Sequence, residues 1–439
     1  MKRLIISHLA KFKNSHPIHF GLFSSSIIIF ASSILSNVLN FLFNLAAAHN
    51  LSIEHYGILQ TMINIFNMIN VLTILITIQL IKQFARYISK KKYSSASALV
   101  NKSNFFVIIV GIAILVSFLL ISNSIHIAIG SVSSENLAII ILLSILGLSI
   151  TIHKSFMKAN LLFMAFALNS VFQQATKLIL SIPLLILGFM LNGVIWSLII
   201  SSILALAYSI WQLRGRLFFN LSEKINFNAK TFTKESFSTM IGFLGLTSII
   251  SADLILTQYY LAQQAGLYAG LAILGKGMIL TTFPLNTVFL PLVINAKSNI
   301  VGVKLFKIAV SGAFVLVLSV FVIYLLIPKQ IVVIALSSSY LEIIPLIPAY
   351  GMSILLYTIS YIIVSGFIAM DEFTPGYVSL LVAILQVVGI FYFHSNLSDI
   401  VNVSLFANIV LAVCLIAFTL TKLPAATKKY YDKKLLPIE

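Results

Sequence analysis

Three charged residues sit deep within stretches that are otherwise apolar: Lys177, Asp253 and Lys276. On insertion scales a Lys or Asp at the centre of a bilayer-spanning helix costs about 2.5–3.5 kcal/mol, so each needs a partner or a purpose. A buried amine can answer an anionic ligand through charge-assisted hydrogen bonds, and a buried carboxylate can take up a proton or a sodium ion. At 1.5 Å rise per residue, Lys177 lies roughly 17 Å from the nearer end of its stretch, close to a bilayer midplane. Asp253 and Lys276 lie roughly 9 and 14 Å from the hairpin that joins their stretches. At that similar depth they are candidates for an ion pair or for ion coupling.

Amides accompany these charges at helical spacing. Asn169, Gln173 and Lys177 follow i, i+4, i+8; Ser33, Asn37, Asn40 and Asn44 share one face; and Asn64, Asn67 and Asn70 step by three. Amides facing lipid would go unsatisfied, so the stripes face a bundle interior or a wet cavity. Each amide alone reads as interhelical hydrogen-bonding glue. Three stripes converging on one midplane amine point instead to a hydrated, cationic cavity, with Lys177, Gln173, Asn169, Asn37, Asn40, Asn44, Asn64, Asn67 and Asn70 as its substrate-binding set.

Other chemistries lack their residues. There is no Gly-rich phosphate loop, no Cys cluster and no pair of carboxylates within the apolar stretches. His16 and His19 share a helical spacing but flank the first membrane crossing, where an interfacial role is expected. The one cysteine, Cys414, reads as a packing residue. No cofactor, metal or catalysis is expected.

The elements that must position these residues are transmembrane helices. Of 439 residues, 60% are hydrophobic and 9% charged, and a helix needs about 20 apolar residues to cross a core of about 30 Å. The sequence predicts about twelve helices, near 21–48, 57–81, 103–122, 136–155, 161–188, 191–212, 237–259, 267–293, 305–327, 345–369, 376–393 and 400–421. The basic N-terminus leads into an apolar stretch too long for a signal peptide and without a clear cleavage site, so it is read as an uncleaved first helix. Of the 28 Lys and Arg, all but Lys177, Lys276 and Lys329 fall at one set of alternate gaps. By the positive-inside rule that side is cytoplasmic and holds both termini. Lys154 and Lys158 belong to this set, read as topology signals facing anionic lipid. Nucleic-acid binding is not expected, since no module stands behind the charge.

The predicted organisation is a basic N-terminal segment (1–20), an N-lobe of six helices (21–212), a polar linker (213–236), a C-lobe of six (237–421) and a basic tail (422–439). Both sets start on the same side, as parallel repeats about an axis along the membrane normal do. A faint echo links them: Leu51-Ser-Ile-Glu-His-Tyr-Gly57 and Leu261-Ala-Gln-Gln-Ala-Gly266-Leu-Tyr268 both end a turn in Gly and an aromatic.

Those turns, Asp253, Ala265-Gly266-Leu-Tyr268, Pro284, Pro291 and the Pro328–Tyr340 segment together resemble the polysaccharide transporter family. That family includes the Wzx-type flippases, and its superfamily also holds the MATE multidrug exporters and the peptidoglycan lipid flippase MurJ. The resemblance covers the whole chain in helix number and order, without the two extra helices usual in MurJ-like proteins. Ala335-Leu-Ser-Ser-Ser-Tyr340 departs from it, with Ser where relatives often have a Gly-bearing turn. It implies a bacterial inner-membrane protein that flips an undecaprenyl-diphosphate-linked oligosaccharide, such as an O-antigen or capsule unit, to the outer leaflet. A polymerase and a chain-length regulator would be its partners, with a proton or sodium ion as counter-ion. Two other readings are weighed beside it. A MATE-like exporter of cationic drugs would favour an acidic cavity, and a membrane-embedded polymerase or ligase would need a catalytic outward loop, whereas the longest one, Pro328–Ile344, carries only Lys329 and Glu342.

Overall fold

A computed structural model describes residues 17–129, 132–216, 234–294 and 299–434. Among them all regular structure is helical. The helices are α1 (Pro17–Asn50), α2 (Ile53–Asn70), α3 (Leu72–Ser89), α4 (Tyr93–Ile129), α5 (Ser134–Ala159), α6 (Phe163–Ile186) and α7 (Met190–Leu213). After the linker come α8 (Lys234–Tyr260), α9 (Ala265–Ile294), α10 (Asn299–Leu326), the short α11 (Pro328–Ala335), α12 (Ile347–Ala369), α13 (Thr374–Tyr392) and α14 (Leu397–Lys434). Residues 1–16 with His16, linker residues 217–233 and Lys297 lie outside the described residues, as do the side chains of His19, Pro284, Pro291 and the tail beyond Lys422.

Eleven helical spans among the described residues are long and apolar enough to cross a membrane. Helices α2 and α3 make a single span, Ile53–Ser89, and the 3-10 stretch Ser338–Leu346 continues into α12 as another. The twelfth expected crossing is α6. It has the length, 24 residues or about 36 Å, but Asn169, Gln173, Gln174 and Lys177 dilute its apolarity. The span that carries Lys177 is therefore the expected crossing that falls short of the apolarity of the other eleven. Exposed Phe105, Phe106, Ile109, Ile112, Leu119 and Leu120 clothe α4 in apolar surface, as a lipid-facing helix requires.

Local chemistry sets the span ends. Ser52 and Ser133 cap α2 and α5 by accepting from the backbone N–H of His55 (3.3 Å) and Asn136 (3.2 Å). Glu54 and Glu135 in the first turns complement the helix dipole. Three hairpins on the cation-rich side turn through a left-handed residue that is not glycine: Lys91 (φ 56), Leu161 (φ 56) and Asp371 (φ 60). In each the next N–H reaches back five residues, Lys92 to Tyr87, Leu162 to Met157 and Glu372 to Phe367, closing the helix with a Schellman motif. Leu161 and Asp371 occupy equivalent hairpins of the two sets of six.

Packing repeats in the same way. In the first half α1 packs most extensively on α6, and in the second their counterparts α8 and α13 do the same. Between halves, α1 meets α9 and α2 meets both α8 and α9. The two echoed turns come together on the side opposite the cations. A Cβ on Gly57 would stand 2.7 Å from the Gly266 nitrogen, and one on Gly266 only 1.7 Å from the Ile53 carbonyl oxygen, so only glycine lets these backbones approach. Tyr340 wedges in beside them, edge-on to Tyr56 at 6.3 Å between centroids. Near the cation-rich side Gln79 of α3 donates to Ser236 of α8 at 3.0 Å, so the halves touch toward both ends.

Candidate functional site

Between those two contacts the polar side chains of α1, α2, α6 and α9 meet. Lys177 donates to Asn40 Oδ1 and lies 4.3 Å from the centroid of the Phe43 ring, a cation–π contact. Asn44, one turn further along α1, donates to the Asn40 carbonyl at 2.7 Å. Gln60 of α2 donates to Asn44 Oδ1 at 2.6 Å, and its own Oε1 accepts from Lys276 at 3.1 Å. Two amines, one from each half, are thus joined by a relay of neutral amides across the interface.

No carboxylate stands within ion-pair distance of either amine among the described residues. Lys177 is only 8% exposed and Gln60 1%. Lys276 is half-buried. Lys177 is thus held by the Asn40 amide and the Phe43 ring, and Lys276 by the Gln60 amide, with the Asp253 carboxylate acting on Lys276 only at longer range. Neutral amides leave much of the desolvation cost of an ammonium unrecovered, and a bound anion would recover it.

The predicted site residues divide. Asn40, Asn44 and Lys177 belong to the relay. Asn169 does not: its amide donates to the Ala205 carbonyl of α7 at 2.9 Å, tying α6 to α7 within the first half. Asn70 turns toward Gly147 of α5, because steps of three drift around a helix of 3.6 residues per turn. Asn64 is buried and donates to the Gln60 carbonyl at 2.8 Å, while Asn37 and Asn67 are half-buried on the relay helices α1 and α2. Gln173 accepts from Lys154 at 3.4 Å.

The expected Asp253–Lys276 ion pair is not formed. Lys276 turns to Gln60, and Asp253 accepts from Tyr268 Oη and the Leu254 N–H, each at 2.7 Å. Asp253 instead heads a second buried cluster, within the second half. Tyr268 Oη lies 3.5 Å from Ser404 Oγ, which accepts from Gln386 at 3.0 Å. Asn408 donates to Ser353 Oγ at 2.9 Å. Gln386 Oε1 and Asn408 Oδ1 are buried without a partner, so the cluster has acceptors to spare beside a carboxylate.

Sequence reasoning passed over Gln60, Gln386 and Asn408. Gln60 lies one turn before Asn64 and extends that stripe, and Gln386 and Asn408 each interrupt an apolar span. In the sequence Tyr268 reads only as part of a turn, since its hydroxyl meets Asp253 only once α8 and α9 are packed.

No family model and no curated protein matches this sequence. Solved structures do. An inward-facing multidrug-resistance MATE transporter of the MOP superfamily matches with a TM-score of 0.68 at 14% identity, over 92% of this chain and 99% of that one. An outward-facing one matches at 0.60 and 13% identity, over 93% and 96%. A MOP-superfamily transporter from Pyrococcus furiosus, whose reverse polarity of binding pocket is described as suggesting a different function, matches at 0.58 and 12%, over 92% and 96%. The chain is a multi-pass membrane protein with the fold of the MATE transporters. At these identities the fold is what is shared.

Proposed function

We propose that this protein is a transporter for an anionic amphiphile, an undecaprenyl-diphosphate-linked oligosaccharide that it flips from the cytoplasmic to the outer leaflet of a bacterial inner membrane. The cation-rich side would be cytoplasmic, by the positive-inside rule. The observation that carries the reading is the pair of amines, Lys177 and Lys276, contributed by opposite halves and hydrogen-bonded to neutral amides rather than to a carboxylate. A diphosphate remains charged at any cellular pH and needs a counter-charge to cross a low-dielectric core. Its oxygens would replace Asn40 and Gln60 as acceptors, and the freed amides could turn to sugar hydroxyls. Because the two amines lie on different halves, binding between them would couple occupancy to the relative position of the halves. Asp253, with Tyr268, Gln386 and Asn408, is the companion candidate for a coupling proton or sodium ion.

The fold equally suits a MATE-like exporter of drugs or other small molecules. The sign of the charge favours an anionic cargo, since a cationic drug would meet two amines and no carboxylate at the relay.

The test is Lys177→Ala, expressed in the native strain. Surface polysaccharide is expected to disappear while the membrane level of the protein holds; polymer at wild-type levels would remove Lys177 from the mechanism. A susceptibility panel of cationic drugs on the deletion strain should be unchanged, and hypersensitivity would transfer the case to the exporter.

A further inference from the structure

Lys154 and Lys158 fall at the cation-rich end of α5, where lysines ordinarily extend their amines out to lipid head groups. They do not do so here. Lys154, about 7 Å from the end of its helix, is half-buried and directs its amine inward to Gln173 Oε1 at 3.4 Å. Lys158 lies over the Phe166 ring of α6, 4.5 Å from its centroid. Both therefore point at the polar helix, and the direction follows from geometry: helical side chains lean toward their helix N-terminus, which for α5 is the far side of the membrane.

The cations then form a ladder along α6. Lys158 stands at the level of Phe166, Lys154 at Gln173 and Lys177 one turn beyond. From Phe166 to Lys177 is about 16 Å along the helix, with no step longer than about 10 Å. Helix α6 contains no Asp or Glu, and the only acid in α5 is Glu135 at the opposite end. A line of amines running from the cation-rich end toward the midplane, with no acid beside it on either helix, suits an anionic ligand, and a phosphoanion offers several acceptor oxygens to such a line.

We infer that Lys154, with Lys158 at the rim, is an anion-staging site that receives the phosphate group of the cargo at the cation-rich mouth before it reaches Lys177. This rests on the anionic cargo proposed above. The glycan and lipid tail play no part in it, so a bare diphosphate should feel the same residues.

The purified full-length protein in detergent is titrated with farnesyl diphosphate, inorganic pyrophosphate and phosphatidylglycerol, and its thermal unfolding temperature is followed. Both diphosphates should stabilise the wild type saturably. Lys154→Gln should raise their half-saturating concentrations about tenfold, the weight of one charge-assisted hydrogen bond, and Lys154→Arg should restore most of that. A purely structural lysine would instead lower the unfolding temperature with and without ligand and leave half-saturation alone. Half-saturation unchanged in Lys154→Gln but raised in Lys177→Gln overturns the staging site and leaves the proposed function standing. A Lys154 effect confined to phosphatidylglycerol makes this residue a head-group anchor and also overturns it. If neither diphosphate stabilises the wild type, the anionic cargo itself fails.

Discussion

Replacing Gly266 by Ala adds one methyl group where the two halves meet. Its Cβ would stand 1.7 Å from the Ile53 carbonyl oxygen and 2.5 Å from the Ile53 carbonyl carbon, against an ordinary contact of about 3.5 Å. These obstacles are backbone at the start of α2, so no side-chain rotamer can relieve the clash. Helices α2 and α9 must part by well over 1 Å, and overpacking of this kind costs about 1–3 kcal/mol. The cost falls only on conformations in which the halves touch here, so the closed arrangement should lose about 5- to 150-fold in population to one parted on this side. Spin labels at the exposed Ser52 and Gln263, in a Cys414→Ser background, report the separation by pulsed electron resonance. The variant should shift the distribution to longer distances while remaining folded. A distribution identical to wild type would show that the glycine contact does not close this side, and would refute the argument. Gly57→Ala, whose nearest obstacle is 2.7 Å away, should shift it less.

Gln60→Glu puts a carboxylate where Lys276 now meets an amide oxygen; the protein should fold, but its own acid should compete with the cargo and surface polysaccharide should fall sharply, whereas normal polymer would argue against an anionic cargo at the relay. Tyr268→Phe removes the hydroxyl that donates to buried Asp253 and should destabilise the protein by about 1–3 kcal/mol, read as a lower unfolding temperature; no change would mean that another group already satisfies the carboxylate. Leu161→Gly relieves a left-handed leucine in the α5–α6 turn and should stabilise by up to about 1 kcal/mol, with a smaller gain for Asp371→Gly, because Asp tolerates that conformation better. A fall in unfolding temperature for Leu161→Gly would mean that its side chain contributes more than its backbone costs.

Helix number and order were legible in the residues themselves. Each crossing needs about 20 apolar residues with its backbone satisfied internally, a constraint local enough to read along the chain. Lys177, Asp253 and Lys276 stood out for the same reason, since charge within such a span is rare. Their partners were decided by packing. Asp253 and Lys276 share a hairpin and a depth, yet each side chain took the neighbour on its own face, Tyr268 for one and Gln60 for the other. Spacing aligned Asn169 with Lys177 along α6, but the close packing of α6 on α7 claimed its amide for Ala205. Lys154 read as a topology signal because charge counting ignores the direction of a side chain, and the lean of α5 side chains sent it inward. Sequence determines which groups must be hidden from lipid, because that depends on one helix and its solvent; which group each one meets depends on how two helices face each other, and only the assembled bundle decides that.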